Sequence, residues 1–155
     1  MRKAFTFGLL IILSLLPSCL SDNEEPSFEE TSLIQVGDRL PEFAVTTLDG
    51  SRLTTDSLLA RAAGCEAKEA TIVLFNTTCE DCRRELEKIE QTYTSATLCI
   101  SREQDEAEVR SYWNEHHLSI PCAAVPDRSI YDLFATMYIP RIYVTDIYGK
   151  ITAVK

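Results

Sequence analysis

The segment FNTTCEDCRRELEKI, Phe75 to Ile89, joins the apolar run TIVLF, Thr71 to Phe75, to a charged stretch. TIVLF is β-rich and uninterrupted, as expected of a strand buried on both faces of a sheet. From Cys82 onward, Leu86, Ile89 and Tyr93 recur at the spacing of one amphipathic helix face, with Thr77 or Thr78 as the expected N-cap. The cysteines Cys79 and Cys82 therefore fall where a buried strand ends and a helix begins. At that point the helix dipole and its free backbone N–H groups favour negative charge. A sulfur held there is suited to disulfide exchange, in which the thiolate is the reactive form.

Three chemistries compete for such a pair: a metal clamp, a permanent disulfide and a redox centre. Zinc needs two further ligands at workable spacing. Cys65, Cys99 and Cys122 are single cysteines, and His116 and His117 lie on a later helical stretch. A permanent bridge across so short a loop removes little chain entropy, so it stabilises little. Only the redox reading uses strand, spacing and helix together.

Outward from this junction, IQVGDRLPEFAVTTLDGSRLTT, Ile34 to Thr55, reads as two short strands around an Asp49-Gly50 turn. SLLARAA reads as one or two helical turns. TLCIS, Thr97 to Ser101, is the next strand, followed by a helix with Val109, Tyr112, Trp113 and His116 on its inner face. A turn at Pro126-Asp127 leads into a short helix, and PRIYVTD and ITAVK form a terminal hairpin. Strand, helix, strand, helix and hairpin describe one α/β sandwich with a mixed sheet.

The chain has 155 residues, a formal charge of −9 and 45% hydrophobic residues, enough for one domain with a conventional core. The acidic balance offers nothing to a phosphate backbone, which argues against nucleic acid as a partner. Ahead of the domain, MRK precedes the apolar run AFTFGLLIILSLL, which is too short for a comfortable membrane span. It ends at LPSC, Leu16 to Cys19, a pattern that resembles the lipobox of bacterial lipoproteins, with Pro17 as a departure. That resemblance implies a signal peptide over residues 1–18 and a lipid anchor on Cys19. LSDNEEPSFEETS is acidic and lacks a hydrophobic period, so residues 19–33 read as a flexible tether, with the domain over 34–155. Acidic residues directly behind the anchor also resemble the surface-export signal of some Gram-negative lineages. The expected location is the cell envelope, facing the periplasm or displayed on the outer surface.

Three longer stretches resemble the thioredoxin superfamily, in particular its TlpA/ResA-like branch of membrane-tethered thiol:disulfide oxidoreductases. They are VGDRLPEFAVTTLDG, Val36 to Gly50; TIVLFNTTCEDCRRE, Thr71 to Glu85; and YIPRIYVTDIYGKI, Tyr138 to Ile151. The resemblance implies an α/β thioredoxin-like three-layer sandwich with a mixed central sheet. The chain stops at Lys155, on the last strand, ahead of the family's C-terminal helix. By the same resemblance Cys79 is the attacking nucleophile, Cys82 the resolving thiol and Pro140 a cis-proline facing the pair. Ile139 presents its backbone to an extended client, Thr78 flanks the docking surface, and Glu85 sits where the branch carries a glutamate near the active site. Thr78 replaces the usual Trp before the first cysteine, and Val73 stands where thioredoxins proper bury an Asp.

The implied activity is reduction of protein disulfides with no cofactor and no metal. Its clients are cysteine-containing envelope proteins, and electrons come from a membrane donor of the DsbD or CcdA kind. Glu80 and Asp81 set two carboxylates between the sulfurs, opposing negative charge there and favouring a reductant over a strong oxidant. Arg83 and Arg84 offset part of this. A peroxidase of the peroxiredoxin kind requires Thr at position 76 and Pro at 72, where this chain has Asn76 and Ile72. A non-catalytic redoxin-fold binding module of a surface lipoprotein assembly remains an alternative. Cys99 reads as a small buried hydrophobe. Cys65 and Cys122 either pair with each other or stay free.

Overall fold

The computed structural model describes residues 25–155, so the expected signal peptide and the lipidation residue Cys19 lie outside the described residues. The elements run β1 (Ala44–Thr46), β2 (Arg52–Thr54), α1 (Thr55–Gly64), β3 (Glu69–Phe75), α2 (Glu80–Glu90), β4 (Thr97–Ser101), α3 (Glu106–Glu115) and β5 (Cys122–Ala123). A 3-10 turn at Tyr131–Leu133, β6 (Arg141–Asp146) and β7 (Ile151–Val154) complete the chain. Among the described residues no helix is long and apolar enough to cross a membrane.

The main sheet has the order β5-β4-β3-β6-β7, and β3 lies at its centre. It pairs in parallel with β4 and antiparallel with β6, so the sheet is mixed. The central position explains the unbroken TIVLF run. Successive side chains alternate faces: Ile72 and Leu74 enter one core with Leu58 and Ala62 of α1, while Val73 and Phe75 enter the other with Leu86 of α2 and Val109 and Trp113 of α3. From Ile72 to Phe75 neither face of β3 reaches water, and both must be apolar there. The β1–β2 hairpin covers the outer edge of β5, since Leu48 N donates to Cys122 O at 2.7 Å and Thr47 bridges to Ala123. An otherwise open strand edge is thereby closed.

Two sequence expectations change. First, α1 has ten residues rather than one or two turns. Thr54 caps it by accepting from Ser57 N, Ser57 answers the Thr54 backbone, and Leu58 and Ala62 are fully buried one turn apart. A reciprocal cap plus an i, i+4 apolar pair sustains a helix that composition alone leaves marginal.

Second, the tether assigned to residues 19–33 does not extend to Leu33 as free chain, and the domain begins before Ile34. Leu33 N and Ile34 N both donate to Phe134 O, Ser32 bridges to Ala135, and Thr136 N donates to Thr31 O. Thr31 is 2% exposed. The anchor of this strap is Arg141, which is wholly buried. Its Nε donates to Met137 O at 2.9 Å, and its Nη2 donates to Phe28 O at 3.0 Å and to Thr31 Oγ1 at 2.5 Å. The Phe28 ring lies 3.9 Å from the guanidinium carbon. Desolvating a lone charge costs several kcal/mol. Hydrogen bonds to a charged group return about 1.5–3 kcal/mol each, so three of them with a stacked ring offset that cost.

Candidate active site

β3 ends at Phe75, and four residues later Cys79 caps α2. The cap is neither Thr77 nor Thr78, as the sequence suggested. Cys79 has the extended φ of −91° and ψ of 117° that a cap requires, and its Sγ accepts from Cys82 N at 3.3 Å. The two threonines are engaged elsewhere. Thr78 N and Oγ1 both donate to Asn76 Oδ1, at 2.9 and 2.7 Å. Thr77 N donates to Gln104 Oε1 at 2.8 Å. The sulfur therefore occupies the place where helix N–H groups converge.

Cys79 is half-buried, whereas Cys82 is 1% exposed inside the first turn. Burial pushes the Cys82 thiol well above its usual range, and its hydrogen bond with Cys79 adds to the effect. The Ile139–Pro140 peptide bond is cis. The Cys79 thiol approaches Ile139 O at 3.7 Å, so the proline loop lies beside the first sulfur. Both cysteines are free thiols.

Glu80 pairs with Arg83 at 2.5 Å, and Asp81 pairs with Arg84. The Arg83 side chain holds the Glu80 carboxyl below its usual range. The carboxylates between the sulfurs thus carry their own counter-ions. Glu85 lies along the same helix in an ion pair with Lys88 at 2.5 Å, and no hydrogen bond joins it to either sulfur. Thr78 is exposed beside the pair.

Sequence reasoning missed Gln104. It is 3% exposed, and its amide holds Thr77 from both ends, since Nε2 also donates to Thr77 Oγ1. The same Nε2 reaches Glu108 Oε1 at 2.5 Å. A single Gln ahead of a helix cap carries no local signal of this clamp. The remaining cysteines separate. Cys65 packs against the α1-side core, near Ser95 Oγ at 3.4 Å, whereas Cys122 is buried in the other core, so the two do not pair. Cys122 instead stands in register with Cys99 on the neighbouring strand. Among the described residues no group of three or more His, Cys, Asp or Glu side chains could hold a metal.

A five-stranded mixed sheet with a cysteine-capped helix beside a cis-proline loop defines a thioredoxin-like protein. No family model matches the chain. Thiol-disulfide oxidoreductase ResA of Bacillus thuringiensis (strain Al Hakam) is 20% identical across 97% of this chain and 86% of its own length, and the Bacillus anthracis ResA gives the same figures. Among solved structures, one from Bacteroides thetaiotaomicron, provisionally assigned as a protein disulfide isomerase, has a TM-score of 0.70 at 23% identity, covering 81% of this chain and 80% of that one. The thioredoxin domain of a thiol-disulfide oxidoreductase from Bacteroides vulgatus has a TM-score of 0.64 at 16% identity, covering 79% and 89%. The chain thus has the thioredoxin-like fold and is similar over nearly its whole length to ResA thiol-disulfide oxidoreductases.

Two outcomes follow from this geometry. With the protein reduced, iodoacetamide should modify Cys79 well before Cys82, read by peptide mass; Cys65, which is also partly exposed, labels independently. Faster modification of Cys82 would contradict the geometry. The second outcome concerns pH. Burial raises the Cys99 and Cys122 thiols above their ordinary 9.0. Below pH 9.0 both are protonated whether folded or unfolded; above it only the unfolded chain ionises, so stability falls as pH rises. Each thiol should account for a loss of about 1.4 kcal/mol by pH 10. Urea denaturation of the reduced protein at pH 7 and 10 measures it, and the double variant Cys99→Ala, Cys122→Ala should show a smaller fall. An identical fall in that variant would refute the assignment.

Proposed function

We propose that this protein is an extracytoplasmic thiol:disulfide oxidoreductase that reduces protein disulfides through Cys79 and Cys82. The observation that carries this reading is the cysteine sulfur at the α2 N-cap, beside the carbonyl of the residue before a cis-proline. Cys79 as thiolate attacks one sulfur of a client disulfide. The client S–S bond breaks, one client thiolate leaves and takes up a proton, and a Cys79–client mixed disulfide remains. Cys82 then loses its proton and attacks Cys79 Sγ. The second client sulfur leaves as a thiol, and a Cys79–Cys82 disulfide forms. Two electrons have passed from protein to client, and a membrane donor of the DsbD or CcdA kind restores the dithiol.

The second step is the harder one, because Cys82 must ionise in a site that disfavours its charge. No acid stands at Val73 to take the proton. Glu85 is the family position nearest in sequence, and in this reading it reaches the site only by leaving Lys88. The client lies as an extended chain along Ile139 and Pro140, with Thr78 at its border. Cleavage before Cys19 and lipidation there hold the domain in the cell envelope, facing the periplasm or the outer surface. The apolar run and LPSC pattern support this placement.

Insulin reduction by the purified full chain, driven by dithiothreitol, tests the activity. Turnover should exceed the uncatalysed rate and vanish in Cys79→Ser. A rate no faster than dithiothreitol alone would favour the non-catalytic binding module. Equilibration with glutathione should place the potential below about −200 mV, and a value near −120 mV, that of a strong oxidant, would overturn the reducing assignment.

A further inference from the structure

Arg141 directly follows the cis-proline, is fully buried, and pairs with no carboxylate among the described residues. One of its nitrogens, Nη1, has no hydrogen-bond partner among the described residues. Burying a cation without an acid is expensive, and an apolar side chain of similar volume would fill the space more cheaply. What the guanidinium does that an apolar group cannot is tie two backbones together. Through Nε it holds Met137 O, on the loop that leads into the proline. Through Nη2 it holds Phe28 O and Thr31 Oγ1, on the strap that arrives from the N-terminal side.

The loop it holds is one that needs holding. Tyr138 has φ 66°, in the left-handed region that a bulky residue disfavours. Its carbonyl accepts from Tyr131 OH at 2.6 Å, and its own hydroxyl donates to Pro26 O at 2.7 Å. The next residue is Ile139, whose carbonyl lies against Cys79 Sγ. The contacts therefore run without a break from the strap, through Arg141 and Tyr138, to the backbone that faces the sulfur.

We propose that Arg141 is a positioning residue for the client-docking edge, and that the Pro26–Thr31 strap is the second half of its clamp. The clamp keeps Tyr138 and Ile139 in the one conformation that presents the Ile139 backbone to an extended client. It has no part in the exchange chemistry at the sulfurs. The segment next to the expected membrane anchor thereby becomes part of the site. This inference rests on the disulfide-exchange reading of Cys79.

The test compares two substrates on the full chain. Insulin needs the docking edge; 5,5′-dithiobis(2-nitrobenzoate), a small aromatic disulfide, does not. In Arg141→Met the ratio of kcat/KM for insulin to that for the small disulfide should fall about tenfold, through KM rather than kcat. Arg141→Lys, which keeps the charge and can keep only part of the bonding, should recover part of that ratio. Thr31→Val removes one bond at the strap and should fall in the same direction by a smaller factor; it carries the test if Arg141→Met does not fold. A ratio within about twofold of wild type in the folded variants, or an equal loss on both substrates in Thr31→Val, overturns the proposal. If wild type turns over neither substrate, the exchange reading has failed, and hydrogen exchange at the Tyr138 and Ile139 amides decides the clamp. Faster exchange in Thr31→Val supports it, and unchanged exchange overturns it.

Discussion

The Cys82 N–H donates to Cys79 Sγ across the first turn of α2, and the rest of the site is arranged around that bond. A side-chain cap is worth about 1 kcal/mol, which is too little to place a helix. Packing does the placing: Leu86 and Cys82 are buried beneath α2, and each large apolar side chain so buried contributes about 1.5–3 kcal/mol. β3 fixes where the chain emerges, because residues up to Phe75 are locked between two cores. Three residues then separate the strand from the cap, and Gln104 and Asn76 hold Thr77 and Thr78. With both threonines engaged, Cys79 takes the helix end. Once it is there, the two-residue spacing commits Cys82 to the interior, so the difference between the two sulfurs follows from the packing of one helix.

Electrostatics modulates this arrangement more than it creates it. Glu80 and Asp81 look dominant in the sequence, yet each is exposed and paired with an arginine one turn on. Exposed pairs of this kind are worth about 0–1 kcal/mol and are screened by salt. The buried cation at Arg141 has a different standing. It is unscreened, lacks an acid among the described residues, and can persist only while the strap and the proline loop supply their oxygens.

Features set by local pattern were legible in the sequence. The TIVLF run announced a central strand, the Asp49-Gly50 turn announced the β1–β2 hairpin, and the cysteine spacing at a strand-to-helix junction announced the site. What was not legible depends on partners distant along the chain. Thr77 and Thr78 are good caps by type, but Gln104 and Asn76 compete for them, and only the fold brings Gln104 within reach. The strap lies in an acidic, aperiodic stretch that reads as tether. Phe28 and Thr31 dock singly there, which leaves no period to detect. Arg141 lies at the start of the PRIYVTD strand, and a charged residue there carries no sign of burial until its partners are known. Cys65 and Cys122 were candidates for a bridge until the sheet placed them in opposite cores.

In the proposed reaction Cys79 attacks clients and Cys82 releases them. Replacing Cys82 with Ala removes the resolving thiol while Cys79 keeps its place at the helix end. A full chain carrying Cys82→Ala, expressed in a cell envelope and separated on non-reducing gels, should accumulate covalent adducts that dithiothreitol releases. Mass spectrometry should locate each adduct bond at Cys79. Adducts that persist when Cys79 is also replaced, or the absence of any adduct with Cys82→Ala alone, would contradict it.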